Sequence, residues 1–137
     1  MESNLMLEGM RIVSFCHWLQ GPAALQYLAD LGADVVRVEP PQGGFERRWS
    51  GAGKHLAGVS TLYLAANRNV RSIAVDLKAP RGVDVAWRLI ARANVVAENF
   101  RPGVLHRIGL AHEIFGCRLR VPERRPASGC AEGALAA

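Results

Sequence analysis

The stretch Leu28-Ala-Asp-Leu-Gly-Ala-Asp-Val-Val-Arg-Val-Glu39 decides the fold class of this chain. It reads as the end of a helix, a glycine stop and a β-branched strand in immediate succession. Upstream, residues 23–31 carry apolar positions at helical spacing (Leu25, Leu28, Ala29), with Pro22 suited to a first turn and Gly32 to the stop. Before Gly21-Pro22 lies a second apolar run, residues 11–15. Downstream, residues 35–39 form the next strand, closed by Pro40-Pro41. Strand, helix and strand within about 30 residues is the size of a parallel crossover unit.

The pattern returns in the second half. Residues 72–76 read as a strand, and Pro80 sits near a helix start. Val83, Ala86, Trp87, Ile90 and Ala91 then make an apolar stripe at i, i+3, i+4, i+7 and i+8. Residues 94–98 are a fourth strand, 99–103 a turn, and 104–108 a last short helix stopped by Gly109. Between the units, 40–60 is a Gly-rich loop of a length that is usually functional or disordered. Residues 61–66 read as a short helix capped by Ser60 or Thr61. Alternation of this kind predicts an α/β fold, a Rossmann-like, doubly wound parallel sheet. Ligands of such sheets bind at the carboxyl ends of the strands, here the segments after Phe15, Glu39, Asp76 and Glu98.

The composition narrows the classes. The chain has 137 residues, half of them hydrophobic and 21% charged, which is globular rather than disordered. The first residues lack a basic region and a long apolar run, so no signal peptide is expected. No stretch is apolar enough for a membrane span. Three distant cysteines (16, 117 and 130) argue for a reduced, cytoplasmic setting. Without CxxC or HExxH, no metal is expected. The net charge of +5 is spread along the body, which fits an anionic small ligand or a merely solvated surface. No basic block interleaved with aromatics points to nucleic acid.

From residue 116 the texture changes. The tail over 116–137 is rich in Ala, Arg, Gly and Pro, and no period survives. It is expected to be irregular, either a disordered extension or a stretch read in a shifted frame. The α/β portion is accordingly assigned to 1–115.

The motifs together resemble those of class III CoA-transferases, a family that includes formyl-CoA and carnitine CoA-transferases and α-methylacyl-CoA racemase. The resemblance rests on Leu7-Glu-Gly9, Gly21-Pro22, the stretch 28–39, Asn67-Arg-Asn-Val-Arg-Ser72, Val75-Asp-Leu-Lys78, Pro80 with Gly82, Glu98-Asn-Phe-Arg-Pro-Gly103 and Arg107-Ile-Gly-Leu110. It covers about residues 5–115. It implies a CoA-binding domain, interlocked homodimers, CoA thioesters and carboxylic acids as substrates, and an Asp nucleophile that attacks the thioester to give a mixed anhydride. That Asp lies beyond the matching block, so the chain is expected to be an N-terminal portion without its catalytic carboxylate. The alternatives are a stand-alone CoA-binding or dimerising module, or a piece of a racemase.

The resemblance also implies site residues. Leu19 and Gln20 match the loop that touches the pantetheine arm. Val75, Asp76, Leu77 and Lys78 match contacts to the adenosine and phosphates, with Asp76 and Lys78 as helix caps the structural alternative. Asn99, Phe100, Arg101 and Arg107 match further CoA contacts: Phe100 against the adenine or as a core anchor, Arg107 on a phosphate or on the surface. Arg68 and Arg71 are candidates for the CoA entrance, or ordinary solvated charges. Pro40 stands where some relatives carry an arginine for a phosphate. Glu39 mimics the acidic residue of a dinucleotide fingerprint, but no GxGxxG accompanies it. Cys16 reads as a small buried hydrophobe. His55, His106 and His112 read as surface.

Overall fold

The computed structural model describes residues 5–51, 53–110 and 118–120. The order is β1 (Arg11–Phe15), α1 (Gln20–Asp30), β2 (Asp34–Glu39), a 3-10 turn (Phe45–Arg47), β3 (His55–Leu56), β4 (Val59–Ser60), α2 (Thr61–Ala66), β5 (Arg71–Ala74), α3 (Pro80–Ile90), β6 (Val95–Glu98), α4 (Val104–Arg107) and β7 (Arg118–Arg120). The main sheet runs β5-β2-β1-β6-β7. Its first four strands are parallel, and β7 is antiparallel to β6. The fold is the doubly wound α/β type, with β1 between the two halves: the chain steps outward to β2 and β5, then returns to lay β6 on the other side of β1.

Alternation along the strands separates two cores. Ile12, Val35, Val95 and Ala97 face Leu25 and Ala29 of α1. Val13, Phe15, Val38 and Val96 face Ala86 and Ile90 of α3 and Leu105 of α4. Helices therefore cover both sheet faces, as strands buried on both sides require.

The stretch 28–39 folds by local rules. Gly32 adopts φ +103°, its N–H donates to the Ala29 carbonyl at 3.0 Å, and the Ala33 N–H donates to the Leu28 carbonyl at 3.1 Å. That pair of bonds is a Schellman stop, which needs a left-handed residue at the glycine position. Gly109 repeats it after α4, with Leu110 N–H donating to the Leu105 carbonyl at 2.9 Å. Ser60 caps α2 by accepting from Tyr63 N–H.

Several boundaries differ from the sequence reading. Helix α1 begins at Gln20, not at 23. The first N–H groups of a helix have no partner, so Gly21 and Pro22 fit inside its first turn without losing a bond. Strand β5 ends at Ala74, although Val75 N–H still donates to the Glu39 carbonyl at 2.7 Å. The predicted stripe on α3 holds at Ala86 and Ile90, but Ala91 is an exposed C-cap. The loop 40–60 contains the 3-10 turn and a two-residue hairpin. Strand β7 was not legible in the Arg-rich run that supplies it. Its pairing partner β6 lies some twenty positions back. Residues 111–117 and 121–137, with His112, Cys117 and Cys130, lie outside the described residues.

Candidate functional site

The order in which the chain adds strands reverses between the parallel neighbours β1 and β6, so their carboxyl ends flank the crevice where open α/β sheets bind ligands. Phe15 and Glu98 are paired at those ends. Beyond them the turn His17–Leu19 meets the turn that begins at Asn99.

Asn99 joins the two turns. Its Oδ1 accepts from His17 N–H at 2.7 Å, and its Nδ2 donates to the His17 carbonyl at 2.8 Å. The Phe100 ring lies 5.0 Å from the His17 imidazole and packs on the α3-side core. Gly21 lets α1 start against this junction, since a Cβ there would stand 2.7 Å from Cys16 Cβ and 3.1 Å from Asn99 Nδ2. Cys16 is buried at 1% exposure, as a small hydrophobe should be.

Trp18 takes φ +65°, a conformation unfavourable for a large side chain. Its N–H donates to Glu46 Oε1, and Glu46 also lies 3.4 Å from His17 Nδ1. The indole stays exposed and forms an aromatic group with Phe45 and Trp49, at centroid distances of 5.3 and 5.9 Å.

Behind this turn lies a network of buried charges that sequence reasoning missed. Arg37, 1% exposed, donates to Glu46 Oε1 at 3.1 Å and to Asn67 Oδ1 at 2.7 Å. Glu39 accepts from Arg47 Nε at 2.6 Å, from Gly44 N–H at 2.9 Å and from the Tyr63 hydroxyl at 2.8 Å. The Arg47 guanidinium also stacks 4.5 Å from the Tyr63 ring. Burial pushes the Glu46 carboxyl up, but the His17, backbone and Arg37 interactions outweigh it and hold the group at about 2. Glu39 follows the same balance, with burial opposed by Arg47, Gly44 and Tyr63, and its carboxyl is lowered. Burial, then the bond to Glu39, raises the Tyr63 phenol to about 12. Both Glu39 oxygens are engaged inside the chain, which leaves no acceptor for the ribose of a dinucleotide.

Of the residues named from the sequence, Leu19 and Gln20 follow β1, Val75–Lys78 follow β5 and Asn99–Arg101 follow β6 at the carboxyl ends of these strands, whereas Arg71 opens β5 at the amino end. Leu19 and Gln20 stand exposed where α1 begins. Val75 is buried in the core and Leu77 packs against it. Asp76 is exposed and turns back to accept from Lys78 N–H at 3.0 Å, while Lys78 itself is exposed. Arg101 and Arg107 are exposed beyond β6. The structure thus ties the turn that leads into Leu19 and Gln20 to Asn99 and Phe100 through His17. It sets the Val75–Lys78 turn after β5, two strands from β1 and three from β6, about 10 and 14 Å at the usual strand spacing. Arg68 and Arg71 are held in ion pairs with Asp30 and Asp34. His55 is exposed and hydrogen-bonded to the Arg48 carbonyl, and His106 is exposed.

The description "CoA-transferase family III" matches residues 7–118. The chain belongs to this family. Among curated relatives of family III, succinyl-CoA:glutarate CoA-transferase of Mus musculus is 44% identical over 82% of this chain and 26% of its own length. Formyl-CoA:oxalate CoA-transferase of Bradyrhizobium is 44% identical over 78% of this chain and 25% of its own. A CAIB/BAIF family protein from Brucella suis superposes with a TM-score of 0.73 at 39% identity, covering 80% of this chain and 29% of that structure. The chain therefore spans about a quarter of the length of the family III relatives it matches. Among the described residues, no helix is long and apolar enough to cross a membrane, and no cluster of His, Cys, Asp and Glu could hold a metal ion.

Proposed function

We propose that the chain is the CoA-binding, N-terminal part of a class III CoA-transferase that moves CoA between carboxylic acids. The observation that carries this reading is the Asn99 bridge to His17. It joins two turns at the point where the strand order reverses.

In this reading CoA lies along the carboxyl rim. Leu19, Gln20 and Asn99 contact the pantetheine arm, while Phe100 and Arg101 line its path. Lys78 and Arg107, both exposed cations, take the phosphates. Val75, Asp76 and Leu77 shape the adenosine end. The separation of the two groups suits an extended ligand better than a compact one. The chemistry would follow covalent catalysis: an enzyme carboxylate attacks the acyl-CoA thioester and expels CoA thiolate, and the thiolate attacks the anhydride at the enzyme carbonyl and releases the donor acid. The acceptor carboxylate then attacks the enzyme–CoA thioester and expels the thiolate again. Attack of the thiolate on the acceptor's carbonyl frees the enzyme carboxylate and the new CoA ester. The nucleophilic Asp belongs to the part of family III proteins beyond the matched block. The intact protein is proposed to be a cytoplasmic homodimer acting on small acids and their CoA esters, with neither nucleic acid nor membrane as a partner.

Calorimetric titration of the 137-residue chain with CoA tests the reading. Binding that weakens with rising salt and with Lys78→Ala or Arg107→Ala is expected, because exposed cation–phosphate pairs are screened. Lack of binding overturns it. Exchange of label between an acyl-CoA and a free acid, catalysed by the purified chain, would overturn the location of the nucleophile.

A further inference from the structure

We propose that Glu46 is a positioning residue that fixes the CoA-facing turn His17–Leu19 in its bound shape. The inference rests on the CoA reading above and adds to it a residue outside the motifs that support that reading.

Three observations converge on the Glu46 carboxylate. Its Oε1 accepts from the N–H of Trp18, the residue in the turn whose left-handed backbone needs an external hold. The same oxygen lies 3.4 Å from His17 Nδ1, so it grips two consecutive residues. Arg37, fixed in turn by Asn67, donates to it from inside the sheet. The carboxylate is 8% exposed, sits on the 3-10 turn and reaches across 28 positions of sequence. A charged acceptor anchored from behind by a buried guanidinium is a stiffer support than a solvated one. Asn99 also holds His17, through its backbone N–H and carbonyl. The turn is thus clamped between two side chains, one from the loop after β2 and one from the turn after β6. Preorganising a loop in its bound conformation lowers the ordering cost of binding.

Gly44 supplies an independent handle. A Cβ at Gly44 would stand 2.5 Å from Glu46 Oε2, so Gly44→Ala displaces the carboxylate without removing it.

Residue-resolved amide exchange on the full chain, alongside CoA titration, tests the proposal. In Glu46→Ala the Trp18 N–H should exchange about tenfold faster while Val96 in β6 keeps its protection. CoA affinity should fall by a similar factor. Glu46→Gln, which keeps an acceptor oxygen, should recover part of both effects, and Gly44→Ala should reproduce them in milder form. If Glu46→Ala loses protection at Val96 as well, the other two variants decide. Unchanged Trp18 exchange, or faster exchange with unchanged CoA affinity, overturns the proposal. Failure of the unaltered chain to bind CoA instead removes the reading on which it rests, whatever the Trp18 exchange shows.

Discussion

Asn99 holds His17 by both polar groups of its backbone, accepting from the N–H at 2.7 Å and donating to the carbonyl at 2.8 Å, across 82 positions of sequence. The side-chain amide ties the chain together past the last paired strand residues, one residue beyond Glu98 and two beyond Phe15. Only a carboxamide offers one donor and one acceptor in that geometry. Asn99→Ala should therefore cost about 2 kcal/mol, since two backbone groups lose their partner together. Asn99→Asp should cost no less, because a carboxylate keeps the acceptor and sets a negative charge against the His17 carbonyl. Urea unfolding of both variants checks this.

Two glycines are fixed by close approach. A Cβ at Gly82 would lie 1.9 Å from the Asp76 carbonyl oxygen, and one at Gly21 would lie 2.7 Å from Cys16 Cβ. Gly21→Ala is expected to destabilise by about 1–3 kcal/mol through overpacking. Gly82→Ala should be worse, because the obstacle is backbone and α3 must move away from the turn after β5. Thermal melts of the two variants should rank in that order.

Arg37 is a buried cation with Glu46 and Asn67 as hydrogen-bond partners. Arg37→Leu strands the Glu46 charge in the interior, which typically costs about 3–5 kcal/mol. The double variant Arg37→Leu with Glu46→Leu should recover much of that loss, since the unpaired charge disappears with its partner. A double-mutant cycle of unfolding free energies reads the coupling.

Acid should unfold the chain partly through Glu46. Its carboxyl is lowered from 4.5 to about 2 in the folded state. A depressed folded value gives stability that is present above the unfolded value and is lost as pH falls from about 4.5 towards 2. Glu39, lowered by Arg47, Gly44 and Tyr63 against the opposing effect of burial, acts in the same direction. Glu98 acts in the opposite one: burial raises its carboxyl, so its contribution is present at low pH and fades as pH rises through the raised value. Glu46→Gln should flatten the acid limb of a stability–pH curve, and an unchanged limb would assign the acid transition to other groups.

Much of the fold is legible from near neighbours. The Leu31-Gly-Ala33 stop, the Ser60 cap, the strand over 11–15 and the apolar spacing on α3 each involve residues within a few positions of one another. The segments that follow the strand ends were legible as well, because they are set by the βα alternation. The CoA contacts proposed at Leu19, Gln20, Lys78, Asn99 and Arg107 come instead from the family resemblance.

Arg37 and Glu46 were not legible as a site. A charge within a strand and another in a Gly-rich loop carry the same local signal as solvated residues. Their burial depends on Asn67, Tyr63 and Trp18, which the sheet order and the packing of α2 bring together. Strand β7 shows the same limit, since an Arg-rich run pairs only where β6 offers an edge. By itself the sequence determined the βα alternation, the helix stops and the position of the strand ends, because these follow from periodicity and short-range backbone bonding. The tertiary structure alone decided which charges are buried and which turns are clamped, because a hydrogen bond across 28 or 82 positions exists only after the strands take their places.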